Sequence, residues 1–291
     1  MLSRLRSQPS ASDGLSLLDL RAPSRSGLAD RFVFLADQLA AQDDLSPRPK
    51  VNALFTALVG STATTDTAKT HALLDDPRIQ SRLPELRRTC AKGEALLEKH
   101  WAAHVLGASN PKAALEDFPY IDNYRKLVHM EVKSMEIAGA LPERLLFIGS
   151  GPLPLTSHLM SEEYGIRVDN LDIDPVAAQE GERVSEALGN DRMRFMVGDI
   201  FSLTPEQIGS YDAVYVAALA GLTRNAKREV FGQLTAHAKP GSLAVARSAS
   251  RLRTLLYPEV HPEDAVGYAP AVLVHPLDDV VNSALVLRKE A

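Results

Sequence analysis

The chain changes its hydrophobic rhythm once, near residue 140. Before that point apolar residues recur at three- and four-residue spacing, in "LADRFVFLADQLAAQ", in "VNALFTALVGS" and around "GEALLEKHWAAHVLG". That is the repeat of amphipathic helices, and nothing there alternates as a strand. After "GALPER", short apolar runs alternate with helical segments. "RLLFIG" leads into "LTSHLMSEEYG", "RVDNLDID" into "PVAAQEGERVSEALG", and "MRFMVGD" and "YDAVYVAAL" precede "TRNAKREVFGQLTAHA". The runs "GSLAVARSA", "AVLVHP" and "SALVLRK" close the series. Strands alternating with helices predict a mostly parallel sheet covered on both faces. The expected class is therefore α/β. A Rossmann-like domain spans residues 140–291, an all-helical domain residues 28–139, and a disordered tail residues 1–27.

On this sheet the run "LLFIGSGPLPLTS" places Gly149, Ser150, Gly151 and Pro152 at the carboxyl end of the first strand, where open α/β sheets bind ligands. Missing side chains let the backbone approach a ligand, although a lone G-x-G also serves a plain strand-to-helix turn. Pro152 and Pro154 fix their φ angles and remove two amide donors, which suits a rigid wall better than a phosphate cradle.

Acidic residues follow at the ends of later strands. Asp172 and Asp174 lie roughly twenty residues beyond the glycines, where a carboxylate accepts hydrogen bonds from ribose hydroxyls. Asp199 ends the third strand, in position for an adenine amino group, and Ala217 and Ala218 give the fourth strand a small-residue floor. Each acid alone also reads as a solvated loop residue or a helix cap. Together they favour an adenosine ligand without phosphates, S-adenosylmethionine, over NAD, whose fingerprint needs a third glycine.

Composition narrows the setting. The 291 residues are 45% hydrophobic and 24% charged, with a net charge of −5, which argues against nucleic acid as a partner. No window approaches a membrane span, and the basic N-terminus is not followed by an apolar run. Cys90 is the only cysteine, which excludes an internal disulfide and fits a reducing cytoplasm.

The stretches "FPYIDNYRKL", "FIGSGPLPLTS", "LDIDP", "RMRFMVGDI", "YDAVYVAALAGL" and "RSASRLRTLLYPEV" resemble the nicotianamine synthase family, in the same order and over roughly residues 80–260. "GSGPLPLTS" is far more specific than a glycine loop. The resemblance implies a Rossmann-like fold that uses S-adenosylmethionine as co-substrate. It implies transfer of the 3-amino-3-carboxypropyl arm, not the methyl, to an amine, with methylthioadenosine released. Bacterial relatives build opine-type metallophores such as staphylopine and pseudopaline. The resemblance further implies that Glu94 and Tyr120 hold and deprotonate the acceptor amine, which makes the helical domain the lid of the site. Glu98 is one helical turn after Glu94, and Tyr124 stands four residues after Tyr120, so each is a candidate helper in substrate binding. Glu94 also reads as an exposed charge, and Tyr120 as an ordinary buried ring.

Other residues carry less. Arg247, in "ARSAS" at the end of the fifth strand, suits a clamp on a substrate carboxylate or an ion pair to a neighbouring helix. His100 and His104 share a helix face but lack the glutamate of H-E-x-x-H, so no metal ligands are assigned. Ser157, Ser248 and the histidines show no nucleophile-elbow spacing. Metal enters through the expected product, whose amines and carboxylates chelate divalent ions. The expected partner is a small amino-acid acceptor, with a homodimer unsurprising. A small-molecule methyltransferase on the same sheet is the competing activity, and a non-catalytic adenosine-binding module is a third reading.

Overall fold

A computed structural model describes residues 27–63, 67–139, 141–221 and 223–291. The tail expected over residues 1–27 lies outside these, except for Gly27. Helices fill the first part: α1 (Leu28–Ala40), α2 (Pro49–Ser61), α3 (Thr67–Leu74), α4 (Pro77–Gln80), α5 (Leu83–Gly107), α6 (Pro111–Glu116) and α7 (Ile121–Ile137). The spacing that announced α1 is its buried stripe of Phe32, Leu35, Ala36 and Leu39. Prolines start α2, α4 and α6, where the missing N–H would have had no partner. At 25 residues α5 is the longest helix among the described residues, and its Gly93 seats against the Phe55 ring of α2.

The second part is β1 (Arg144–Ile148), α8 (Leu155–Tyr164), β2 (Arg167–Asp172), α9 (Pro175–Ala187), β3 (Met193–Val197), α10 (Pro205–Gly209), β4 (Ala213–Val216), α11 (Arg224–His237), β5 (Leu243–Ser248), β6 (Tyr268–Val274) and β7 (Ser283–Lys289). The sheet runs β3-β2-β1-β4-β5-β7-β6. Its first five strands are parallel, while β7 runs antiparallel to both β5 and β6. The order reverses between β1 and β4, which is where such sheets open a crevice at their carboxyl ends.

Strand alternation sorts the core into two faces. Leu145, Phe147, Tyr215, Val245 and Val286 pack with residues of α5, α6 and α7. Leu146, Val214, Val216, Ala244 and Leu285 pack under α11. The first cluster runs across residue 140, so the helices and the sheet share one core there. A separate cluster joins α1 and α2 to Leu252, Leu255 and Leu256, which follow β5.

Candidate functional site

The loop after β1 is built by its glycines. Gly149 and Gly151 have φ of +81° and +68°, in the left-handed region that favours glycine. A Cβ on Gly151 would collide with the Glu98 carboxylate, so the loop and α5 meet with no room for a side chain. Pro152 and Pro154 are buried and form a fixed wall before α8. Asp172, ending β2, accepts the Gly151 N–H at 2.8 Å through Oδ2 and the Asp174 N–H at 3.0 Å through Oδ1.

Two cavities adjoin here. One, of about 510 Å³, lies over the carboxyl ends of the strands and is lined by the Gly149–Pro152 loop, Asp172, Asp199, Ala217 and Arg247. The other, of about 1070 Å³, lies among the helices and is lined by Phe55, Trp101, Tyr120 and Tyr257. Glu94, Glu98, Tyr124 and Asn282 line both and form the partition between them.

Electrostatics at the partition are unusual. Burial raises the Glu94 carboxyl above its ordinary value, against a hydrogen bond from the Tyr257 hydroxyl at 2.8 Å and the nearby Arg247 charge. Glu98 is raised further, by burial and then by the negative charges of Glu94 and Asp172. No hydrogen bond to Glu98 comes from any described residue. Like charges held close together oppose each other's ionisation, so the two carboxyls titrate as a pair. Burial, followed by the Glu94 charge, also raises Tyr257 well above the ordinary phenol, so it stays a neutral donor. Tyr124 is raised by burial and then by both glutamates.

The remaining candidates divide. Asp174 caps α9, accepting the Val176 N–H at 2.9 Å, so its helix-cap reading describes its contacts although it stands on the cavity wall. Asp199 accepts the Phe201 and Ser202 N–H groups, both at 3.0 Å through Oδ1, which leaves Oδ2 to accept from a ligand. Ala217 is held by its neighbours. Its N–H donates to the Ile148 carbonyl, and its own carbonyl accepts from Lys227, whose buried ammonium is pulled down to about 7. Tyr120 is 38% exposed at the start of α7, not the buried ring that its sequence also allowed. It faces the helical cavity only.

Arg247 makes the ion pair. Its Nε donates to Glu131 Oε1 at 2.8 Å, and Nη2 donates to Glu131 Oε2 at 3.2 Å and to Thr156 at 2.7 Å. Only Nη1 is left for a ligand. Ser157 bonds Asn170 and Ser248 bonds Val260, so neither serine is poised as a nucleophile. Among the described residues no group of three His, Cys, Asp or Glu could hold a metal ion, and His100 and His104 pack edge-on against Trp101. Sequence reasoning missed Tyr257, Thr156 and Asn282. "RTLLYPEV" did include Tyr257, but nothing in one sequence connects it to a glutamate 163 residues away.

Known proteins of one family are similar to this chain along most of its length. The family model described as nicotianamine synthase protein matches residues 24–291. Nicotianamine synthase 9 of Hordeum vulgare is 36% identical over 270 residues, covering 90% of this chain and 78% of its own. Nicotianamine synthase 2 of Arabidopsis thaliana is 34% identical over 264 residues, covering 88% and 81%. Among solved structures, a point mutant of MtNAS in complex with S-adenosylmethionine superposes with a TM-score of 0.78 at 27% identity, covering 92% of this chain and all of that one. MtNAS in complex with MTA and tNA gives the same TM-score and identity, covering 89% and 97%. With a family match over nearly its whole length, relatives more than 30% identical and a shared fold, the chain belongs to the nicotianamine synthase family.

Proposed function

We propose that this protein transfers the 3-amino-3-carboxypropyl group of S-adenosylmethionine to the amine of an amino-acid acceptor, releasing methylthioadenosine, in the making of nicotianamine or a nicotianamine-like metallophore. The observation that carries this reading is the partition of Glu94 and Glu98 between a cavity on the sheet and a larger one among the helices. The family membership supports it.

The sheet cavity suits the co-substrate. Asp172 and Asp199 are acceptors for ribose and adenine, Gly149 and Gly151 allow close approach, and Pro152 adds a firm wall. The helical cavity takes the acceptor, so residues 28–139 supply most of the acceptor side, joined by Tyr257 and Asn282, and residues 140–291 most of the cofactor side. In the reaction the acceptor nitrogen attacks the γ-carbon of the arm, a new C–N bond forms, and the C–S bond breaks. The bonding pair returns to sulfur, which leaves as a neutral thioether, and the nitrogen loses a proton. The sulfonium is already a good leaving group. The protein therefore has to present a neutral amine in line with the chosen carbon.

An amino-acid amine arrives protonated. Glu94 and Glu98 attract the ammonium, and a carboxylate with a raised pKa is the stronger proton acceptor. Glu94 is the base, aligned by the Tyr257 hydroxyl, with Tyr120 holding the acceptor from the helical side. Glu98 and Tyr124 complete the wall. Cys90 takes no part: it is buried, with its thiol pushed up to about 12 by burial and then by Glu94. A free thiol without a disulfide partner fits the reducing cytoplasm. No helix among the described residues is long and apolar enough to cross a membrane.

A mass-spectrometric product assay tests the reading, with S-adenosylmethionine alone and then with L-histidine, D-histidine or glutamate. The expected products are methylthioadenosine and an amine carrying one or more aminocarboxypropyl units, and the compound required identifies the acceptor. S-adenosylhomocysteine in place of methylthioadenosine would make the protein a methyltransferase.

A further inference from the structure

The partition is rich in acceptors and poor in donors. Glu94 and Glu98 suit an ammonium, but both the arm and the acceptor also carry a carboxylate, which needs donors. Asn282 supplies one. The residue is 9% exposed, and its Nδ2 has no hydrogen-bond partner. A buried donor left unpaired costs stability, so such a group in a native site calls for a ligand.

Topology explains its position. Because β7 runs antiparallel to β5, it begins at the end of the sheet where the parallel strands finish. Ser283 lies opposite Ser248 and Ala284 opposite Arg247. Asn282, two residues before Ala284, continues the face that carries Arg247. Both line the sheet cavity, as does Ser150, whose Oγ is the other unpartnered polar atom there. Asn282, Arg247 and Ser150 thus line one cavity and carry the unclaimed donors Nδ2, Nη1 and Oγ; Nδ2 and Oγ are closed to solvent and reach a ligand by side-chain rotation, and of the three residues only Asn282 also lines the helical cavity.

We infer that Asn282 is a binding and orienting residue: its amide donates to the carboxylate of the aminocarboxypropyl arm and so turns the γ-carbon of that arm, not the methyl, toward the acceptor. This rests on the proposed reaction. Arg247 and Ser150 flank the same carboxylate. A fixed carboxylate at one end and a fixed adenosine at the other leave the sulfonium little freedom to rotate, which selects the bond that breaks.

Methylthioadenosine is the co-substrate without its arm, and this makes the test specific. By titration calorimetry, Asn282→Ala is expected to weaken S-adenosylmethionine about tenfold, as for one hydrogen bond to a charged group. Methylthioadenosine should bind within about twofold of wild type by the same measure. Asn282→Asp keeps the shape, puts a like charge beside the carboxylate, and should weaken S-adenosylmethionine further. Methylthioadenosine binding also reports folding, so a variant that loses it is replaced by the isosteric one. Equal weakening of both ligands by the two variants, unchanged binding of S-adenosylmethionine, or a raised acceptor KM as the sole change would each overturn the assignment. The wild-type product is read separately. S-adenosylhomocysteine there defeats the proposed reaction, whereas methylthioadenosine with unaltered Asn282 variants defeats only the role of this residue.

Discussion

At the scale of single residues, Glu94 is the base we propose, because its surroundings hold it between two demands. Burial lifts its pKa and strengthens it as a base, while the Tyr257 hydroxyl and the Arg247 charge pull in the other direction and favour the carboxylate. Glu94→Gln keeps the size and the contact with Tyr257 but cannot take a proton. We expect kcat to fall by about 10²–10⁴, the span of positioned general bases, with S-adenosylmethionine binding preserved. The wild-type rate should rise with pH through the raised carboxyl pKa, because the base works only when deprotonated, and the variant should lack that limb. A pH–rate series on both proteins checks this. An intact limb in the variant would move the base to Glu98, whose pKa is raised for related reasons.

Among elements, α7 is tied to the sheet by one buried carboxylate. Glu131 is fully buried, and accepts from the Tyr215 hydroxyl on β4 and from Arg247 on β5. Burial is the largest influence and depresses the guanidinium, but the charge and hydrogen bond of Glu131, joined by Tyr215 and Tyr124, together hold Arg247 above its ordinary value. Glu131→Gln would leave a buried cation without its counter-charge, a loss of about 3–5 kcal/mol. A urea denaturation midpoint measures it, and a change below about 1 kcal/mol would mean that solvent or another group compensates. The Arg247 side of this tie was open in the sequence as an ion pair to a neighbouring helix, but its partner was not, since Glu131 reads there as one charge on an amphipathic helix. The elements were legible, since α1 follows its three-and-four spacing and β1 to β5 their apolar runs between helices. The direction of β6 and β7 was not, because an apolar run has no sign. Only the lack of a helix between them and their pairing in space reveal the antiparallel edge.

For the whole molecule, the same asymmetry decides how much of the site the sequence could disclose. Parallel strands bring every strand-to-helix loop to one end, so Gly151, Asp172 and Asp199 could be placed together from the pattern alone. Tyr257 and Asn282 reach the partition through a loop and an antiparallel strand with no such regularity. The partition itself crowds half-buried acidic groups between helices and sheet, which opposes their ionisation in the absence of substrate. The Glu98 carboxyl is raised well above its ordinary 4.5, so the folded chain holds that proton more tightly than the unfolded one. This contribution is fully present at and below pH 4.5 and is lost as pH rises through the folded value. Glutamine has no proton to lose. The ligand-free Glu98→Gln variant should therefore gain thermal stability over wild type as pH rises above about 4.5, and level off once the wild-type carboxyl is ionised in the fold. Each ~1 kcal/mol so relieved corresponds to about 2–4 °C in Tm for a chain of somewhat smaller size. Differential scanning calorimetry of the two proteins from pH 4.5 to pH 8.5 reads the gap. A gap that is constant across that range would show that Glu98 destabilises through shape alone, whereas one that closes on adding a cationic amine acceptor would show that the cost is recovered when substrate binds.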